Sequence, residues 1–486
     1  MSEQNIEDAT SQPGGQSQKN SLAASIAEKI PDPYVLITAI IGIAAVSTHF
    51  IPAGEYKRKM VEGREVIVPG SFHYIQEPPV SFMGMLKSVQ LGLIDAASIV
   101  FFVLIIGGAF GLITATGSIT AALSGIVTRL EESNREYLIL ICVPLFFGVI
   151  AGVAGLYESV IPFVPLAVLL ALSLDYDAIV GCSMVLLGLA AGFASAPLNP
   201  FTVGIAQGIA GLPIYSGLWY RAIFWVLSMT VTIGYIYRYA SKVKESPSES
   251  YVSDLDYSNL ELEDDPSEID FKRIHKAVLG VFALAIVMLI VGVTQYGWYI
   301  NEIATLFLVT GILVGVIYGM SGDEIVSNFI DGAQDLLYAA LIIGFARGII
   351  VVLRDGAVLD TVIWALVQPL KDMSPVVSAS LMVPLMSVVN FFIPSGSGQA
   401  AVVTPILVPI GEIVGIPAQV IVLAFQYGDG FSNMFIPTLG PTMAMISIAN
   451  IPYGRWLQFT WKLLVVQILI GMSAVGIGVA IGLGPF

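Results

Sequence analysis

Apolar runs near or above the roughly 20 residues that cross a bilayer recur along the chain. The clearest are 33–51, 97–116, 137–153, 218–239, 277–294, 303–318, 339–353, 376–393 and 459–481. Shorter apolar pieces lie between them. Each long run is predicted to be a helix, because a segment in hydrocarbon must satisfy its own backbone polar groups. The longest polar interruption, 241–270, carries Glu245, Glu249, Asp254, Asp256, Glu261, Glu263, Asp264, Asp265, Glu268 and Asp270. It reads as a flexible, charged connector. The pattern predicts an all-α polytopic membrane protein. Its parts are a disordered tail over 1–30, a first transmembrane repeat over 31–240, an acidic linker over 241–273 and a second repeat over 274–486.

Two of the apolar stretches are broken. The first break is Gly192-Phe193-Ala194-Ser195-Ala196-Pro197-Leu198-Asn199-Pro200. The second is Gly430-Phe431-Ser432-Asn433-Met434-Phe435-Ile436-Pro437-Thr438-Leu439-Gly440-Pro441. Such residues free backbone groups, which at membrane depth are tolerated only inside protein or beside a watery cavity. Matched breaks in two halves point to the substrate site of a secondary transporter. The halves do match. Asp95 pairs with Asp331, Gly107 with Gly344, Gly192 with Gly430 and Trp219 with Trp456, at offsets of 236 to 238 residues. Inverted repeats need an odd number of crossings between matched segments. A plain count gives an even number, so either one segment falls short or two short ones form a re-entrant hairpin.

Upstream of each break lies a polar turn. The first is Gly155-Leu156-Tyr157-Glu158-Ser159, followed by Pro162 and Pro165; the second is Ser395-Gly396-Ser397-Gly398-Gln399, followed by Pro405 and Pro409. Both suit a chain reversing inside the bilayer, with helices that aim positive N-terminal ends at a ligand. The competing reading is close helix packing through small residues. Intramembrane ionisable residues are functional candidates by default. Glu158 and Asp429 are read as ion or substrate ligands. Arg347 is read either as a partner for a substrate carboxylate or as the counter-charge of a buried acid such as Asp429. Asp95 and Asp331 begin their spans, where a solvated helix-end role competes. Ser195, Asn199, Ser432, Asn433 and Thr438 are candidate hydrogen-bond donors and acceptors at the breaks, with Gln426 and Tyr427 beside them.

Composition supports the class. The chain of 486 residues is 56% hydrophobic and 12% charged, with a mean hydropathy of +0.84; soluble domains are roughly 25% charged. A net charge of −15 argues against a nucleic-acid partner, which needs basic patches. Cys142 and Cys182 lie in apolar segments and read as buried packing thiols. No secretory leader is evident. Lys and Arg flanking the linker place it, with the N-terminus, on the cytoplasmic side, and the polar 53–79 loop outside. No metal-ligand spacing, Walker motif, His-Glu-x-x-His or nucleophile elbow is present, so an enzyme is not expected. A gated channel would build its pore from a ring of subunits; paired breaks in one chain favour a carrier.

The segments Asn390-Phe391-Phe392-Ile393-Pro394-Ser395-Gly396-Ser397-Gly398-Gln399-Ala400 and Ala424-Phe425-Gln426-Tyr427-Gly428-Asp429-Gly430-Phe431-Ser432-Asn433 resemble the C4-dicarboxylate anaerobic carrier family of the ion-transporter superfamily. Ile51-Pro52-Ala53-Gly54-Glu55-Tyr56 fits its branch of basic amino-acid antiporters. The resemblance covers the chain from Pro31 onward. It implies two inverted repeats, each with a re-entrant hairpin and a discontinuous transmembrane helix, a homodimer, and elevator-like alternating access. On matching positions, Ser395 to Gln399 form the second hairpin tip, Gly430 to Asn433 the second break, and Gly155 to Ser159 and Ser195 to Asn199 their partners. The first tip departs from the Ser-Asn-Thr signature of related sodium-coupled carboxylate carriers. The expected function is secondary transport of a small organic metabolite across the plasma membrane, foremost a basic amino acid, by antiport or ion-coupled uptake. A C4-dicarboxylate or short-chain carboxylate carrier is the alternative. No cofactor is expected beyond a coupling ion, sodium or proton.

Overall fold

A computed structural model describes residues 32–61, 64–122, 135–257 and 272–484. The 1–30 tail and the acid-rich 258–271 lie outside the described residues. Every long apolar run falls on a helix. Among the described residues, seven helices are long and apolar enough to cross a membrane.

Helix α1, Pro33–Ser47, starts where the Asp32 carboxylate accepts from Tyr34 N at 2.8 Å and Pro33 pre-sets the first turn. The 53–79 loop then folds into two small antiparallel ribbons. β1 (Gly54–Glu55) pairs with β4 (His73–Tyr74), and β2 (Arg58–Val61) with β3 (Arg64–Ile67). The loop is tied to the second half. Arg58 Nη2 donates to Asp360 Oδ2 at 2.7 Å, and Phe72 stacks on Trp364 at 4.9 Å.

Helices α2 (Phe82–Asp95) and α3 (Ala97–Ala115) follow with only Ala96 between them. Their counterparts are α11 (Gly322–Asp335) and α12 (Leu337–Asp355), separated by Leu336. α2 packs on α12 and α3 on α11. Glycines let the backbones touch: Gly92 meets Gly344 and Gly348, Gly107 meets Gly332, and Gly111 meets Asn328 and Gly332. A methyl at Gly107 would sit 2.5 Å from the Gly332 carbonyl. Partner numbers fall as the first strand of contacts rises, so the matched helix pairs run antiparallel.

Each half then forms a helix–tip–helix hairpin. In the first, α4 (Tyr137–Ala154) leads through a 3₁₀ turn, Glu158–Phe163, into α5 (Val164–Leu172). In the second, α14 (Pro375–Phe392) turns at Ile393 to Ser395 into α15 (Gly396–Val414). Each hairpin packs on an interrupted helix. α6 (Ala178–Ala194) breaks at Ser195 to Asn199 and resumes as a π-helical turn, Pro200–Gly204, and α7, Ile205–Ile209. α16 (Ala418–Ser432) breaks at Asn433 to Leu439 and resumes as α17, Gly440–Ile448. The remaining helices are α8 (Leu218–Glu245), α9 (Arg273–Tyr296), α10 (Ile300–Tyr318), α13 (Leu359–Val367) and α18 (Tyr453–Ala480).

Three expectations need correction. The linker is not a free connector over its first part. Residues 246–257 fold back on the helices: Ser250 Oγ donates to Asp177 Oδ2 at 2.6 Å, and Tyr257 OH donates to Asn450 O at 3.1 Å. Val252 and Tyr257 are buried there, so apolar side chains among the acids supply the anchor. Cys142 is exposed; only Cys182 is buried. Trp219 and Trp456 are not equivalent. Trp219 is half exposed, whereas Trp456 is fully buried. The helices that carry them begin at Leu218 and Tyr453, which sets Trp456 opposite Arg221 instead.

Candidate functional site

The two interrupted helices cross where they break. Gly430 lies against Ala194 so closely that a methyl there would overlap the Ala194 backbone. Gln426 Nε2, on α16, donates to Ala196 O in the first break at 3.0 Å. The first tip reaches the second break: Tyr157 OH donates to Asn433 O at 3.1 Å and lies 3.1 Å from Thr442 Oγ1. Thr442 in turn donates to Asn433 O at 2.5 Å. Freed carbonyls of one half are thus satisfied by side chains of the other.

Each tip is shaped by glycine. Gly155 ends α4 with φ +67°, a left-handed conformation that favours glycine. A methyl there would also collide with Asn199 Oδ1. That oxygen is already engaged, accepting from Phe201 N at 2.9 Å and Thr202 N at 3.2 Å to cap the resumed helix. Gly396 starts α15 where a methyl would come within 2.6 Å of Thr202 Cγ2 and 3.4 Å of Asp429 Oδ2. Ser395 caps α15, its Oγ accepting from Gly398 N at 3.3 Å.

Both tips and the second break enclose a cavity of about 210 Å³, also walled by α12 and the α2–α3 joint. Of the residues expected from sequence, Gly155, Tyr157, Glu158, Ser395, Gly396, Ser397, Asn433, Thr438 and Arg347 line it. The others stand behind the wall. Ser159 is buried in the 3₁₀ turn. Ser195 Oγ bonds back to Ala191 O at 2.7 Å, and Asn199 is the cap just described. Gly398 and Gln399 lie in the first turn of α15, and Gln399 Nε2 donates to Met386 O at 3.0 Å. Ser432 accepts from Asn390 Nδ2 at 2.8 Å. Asp429 is fully buried, and neither carboxylate oxygen has a hydrogen-bond partner.

Arg347 does not neutralise Asp429. Its Nε donates to Asp95 Oδ2, and Arg354 Nη2 stands 3.6 Å from the same oxygen. Asp95 is therefore more than a solvated helix end: it lines the cavity with Arg347. Asp331, its match in the second half, is exposed and meets Ser327 Oγ at 3.4 Å within its own helix. Glu158 has no ion-pair partner among the described residues. The cavity thus holds one unpaired acid, one acid–base pair, and the starts of α15 and α17 at Ser397 and Gly440.

Sequence reasoning missed several wall residues. Phe193 packs edge-on against Tyr157 at 5.5 Å, and Tyr299 lies 6.2 Å from Phe201. Tyr299 precedes α10, far from either tip in sequence, and nothing local marks it. Asn390 was visible in the second signature. Its Nδ2 reaches Asp429 O at 2.9 Å and Asn433 Oδ1 at 2.6 Å, tying α14 to the second break.

The profile of the C4-dicarboxylate anaerobic carrier family matches residues 30–480. The chain is 32% identical to the "Putative basic amino acid antiporter YfcC" of Escherichia coli K12, over 88% of this chain and 92% of that one. It is 30% identical to an uncharacterized protein of Haemophilus influenzae, over 84% and 80%. Solved structures similar to it include the YdaH transporter of Alcanivorax borkumensis, with 14% identity, TM-score 0.40 and coverage of 93% and 99%. Another is MtrF of Neisseria gonorrhoeae, with 16% identity, TM-score 0.42 and coverage of 94% and 96%. The chain belongs to the C4-dicarboxylate anaerobic carrier family and is a multi-pass membrane secondary transporter, not an enzyme.

Proposed function

We propose that the cavity binds a basic amino acid, and that the protein exchanges or takes up such solutes by alternating access. One observation carries this: the cavity's base, Arg347, is already paired with Asp95, while Glu158 faces the same cavity with no cation. An unpaired carboxylate in a low-dielectric site is costly until a positive group meets it. The starts of α15 and α17 supply the opposite polarity, since helix N-termini favour a carboxylate. An amino acid with a basic side chain matches both ends. The volume, below the roughly 300–1,000 Å³ of drug-sized sites, suits a small metabolite. The name of the Escherichia coli relative supports the same class.

The antiparallel pairing of α2–α3 with α11–α12 supports reading the halves as inverted repeats. In that reading each hairpin is re-entrant and each interrupted helix is a discontinuous span. The hairpins and interrupted helices then move as a unit against the paired rods, as an elevator in the plasma membrane. We place the N-terminus and linker in the cytoplasm and expect a homodimer.

The family's description favours a second reading, a dicarboxylate or short-chain carboxylate carrier. There Arg347 leaves Asp95 for the substrate. Uptake and counterflow of labelled arginine and labelled succinate into proteoliposomes separate the two. Arginine movement without succinate movement is the expected result; succinate movement without arginine overturns it.

A further inference from the structure

Behind the cavity wall, several buried polar side-chain atoms have no partner. Asn390 Nδ2 donates to Asp429 O, Ser432 Oγ and Asn433 Oδ1, so its own Oδ1 is left without a donor. Gln399 Nε2 donates to Met386 O and Gln426 Nε2 to Ala196 O, leaving Oε1 of each without one. Turning any of these amides around would set oxygen against carbonyl oxygen, so their orientation is fixed. Both oxygens of Asp429 are orphaned in the same region, and so is the Thr202 hydroxyl. Thr202 and Asp429 converge on Gly396, at the start of α15. Burial of unpaired acceptors on this scale is disfavoured. A single added proton changes the balance, since it turns a carboxylate acceptor into a donor.

We propose that Asp429 is a proton-binding site, separate from the solute cavity and closed off by the second tip. The proton occupies one carboxylate oxygen, on the tip side where Thr202, whose Cγ2 lies against Gly396 and whose hydroxyl has no partner, can accept it. Among the described residues, no side chain on the elements packed against α16 forms an ion pair with Asp429. α14 and the Pro200–Gly204 turn with α7 carry no titratable side chain. α6 brings Cys182, α15 brings Glu412, and α18 brings Tyr453, Arg455 and Lys462; the first tip brings Tyr157 and Glu158. Among the described residues none of them forms an ion pair or hydrogen bond with its carboxylate. Where the proton accompanies solute, the proposal rests on the carrier reading above. Where it is simply bound, it does not.

Infrared spectra of the full-length protein in lipid test the site without any solute. The wild type is expected to show the C=O stretching band of a protonated carboxyl at neutral pH. Asp429→Asn loses that band, and Thr202→Val keeps it at a shifted frequency. A wild-type spectrum matched by Asp429→Asn overturns the proposal. Sodium substituted for potassium is expected to leave the band in place. Loss of the band in sodium, with an Asp429-dependent rise in Tm, assigns a sodium site and also overturns it. Arginine counterflow on the same preparation keeps the two ideas apart. A protein that moves no arginine but shows the Asp429 band refutes the solute assignment alone. Should Asp429→Asn fail to fold, the Thr202→Val shift decides, and an unshifted band counts against the proposal.

Discussion

The two tips share a backbone plan and differ in chemistry. Both reverse the chain between helices, and both lie over a broken helix whose carbonyls need partners. The first tip carries Tyr157 and Glu158; the second carries only small neutral residues from Ser395 to Gly398. The clasps differ as well. The first break is held by Arg221, fully buried, whose Nη2 donates to Pro197 O at 3.0 Å and Tyr215 O at 3.2 Å, and whose Nη1 donates to Ser216 O at 2.7 Å. The second is held by Trp456, whose Nε1 donates to Met434 O at 2.8 Å. Both breaks need a clasp, and the two clasps differ in chemistry. A guanidinium answers several carbonyls with charge-assisted bonds, while an indole answers one.

Tests of this contrast can be ordered by size of effect. Ser397→Leu should abolish solute uptake with normal membrane insertion, because the second tip has no side-chain bulk to spare at the cavity wall. Wild-type uptake from that variant would show the tip to be packing alone. Glu158→Gln should lower arginine counterflow about tenfold or more, the scale of one lost charge-assisted hydrogen bond of roughly 1.5–3 kcal/mol, and should change its pH profile. An unaltered rate and profile would remove the acid from the first tip's role. The clasps come next. Arg221→Leu is expected to cost about 3 kcal/mol or more, since it strands buried carbonyls. Trp456→Phe should cost about 1 kcal/mol from its single hydrogen bond. Tm measurements on purified protein that rank the two equal would erase the distinction. Thr438→Val, at the edge of the second break, should change counterflow only several-fold, on the order of 1 kcal/mol.

The helices and both breaks were legible because apolar runs and glycine–proline interruptions are local signals. So were the tips, where Ser395, Gly396, Ser397 and Glu158 line the cavity. Partners across the fold were not. Arg347 finds Asp95 at a sequence distance of 252 residues, and no spacing rule links them. Arg221 escaped notice because its partners are main-chain carbonyls, which every residue has. Residues expected to touch solute but lying behind the wall, such as Asn199 and Ser432, share composition with those that line it. Only the direction of the side chain separates them. Repeat orientation could not be counted from span lengths, and the antiparallel run of the packed helices, with Gly92 against Gly344 and Gly111 against Asn328, is a contact across the fold that no linear count supplies.

The account turns on one solute site built jointly by both tips and electrically open to a cation. Equilibrium binding of labelled arginine to purified wild type, Glu158→Gln and Ser397→Leu tests this most directly. Saturable binding to the wild type, competed by lysine and not by succinate and lost in both variants, is the predicted result. Arginine binding that survives both substitutions, or succinate binding in its place, would contradict it.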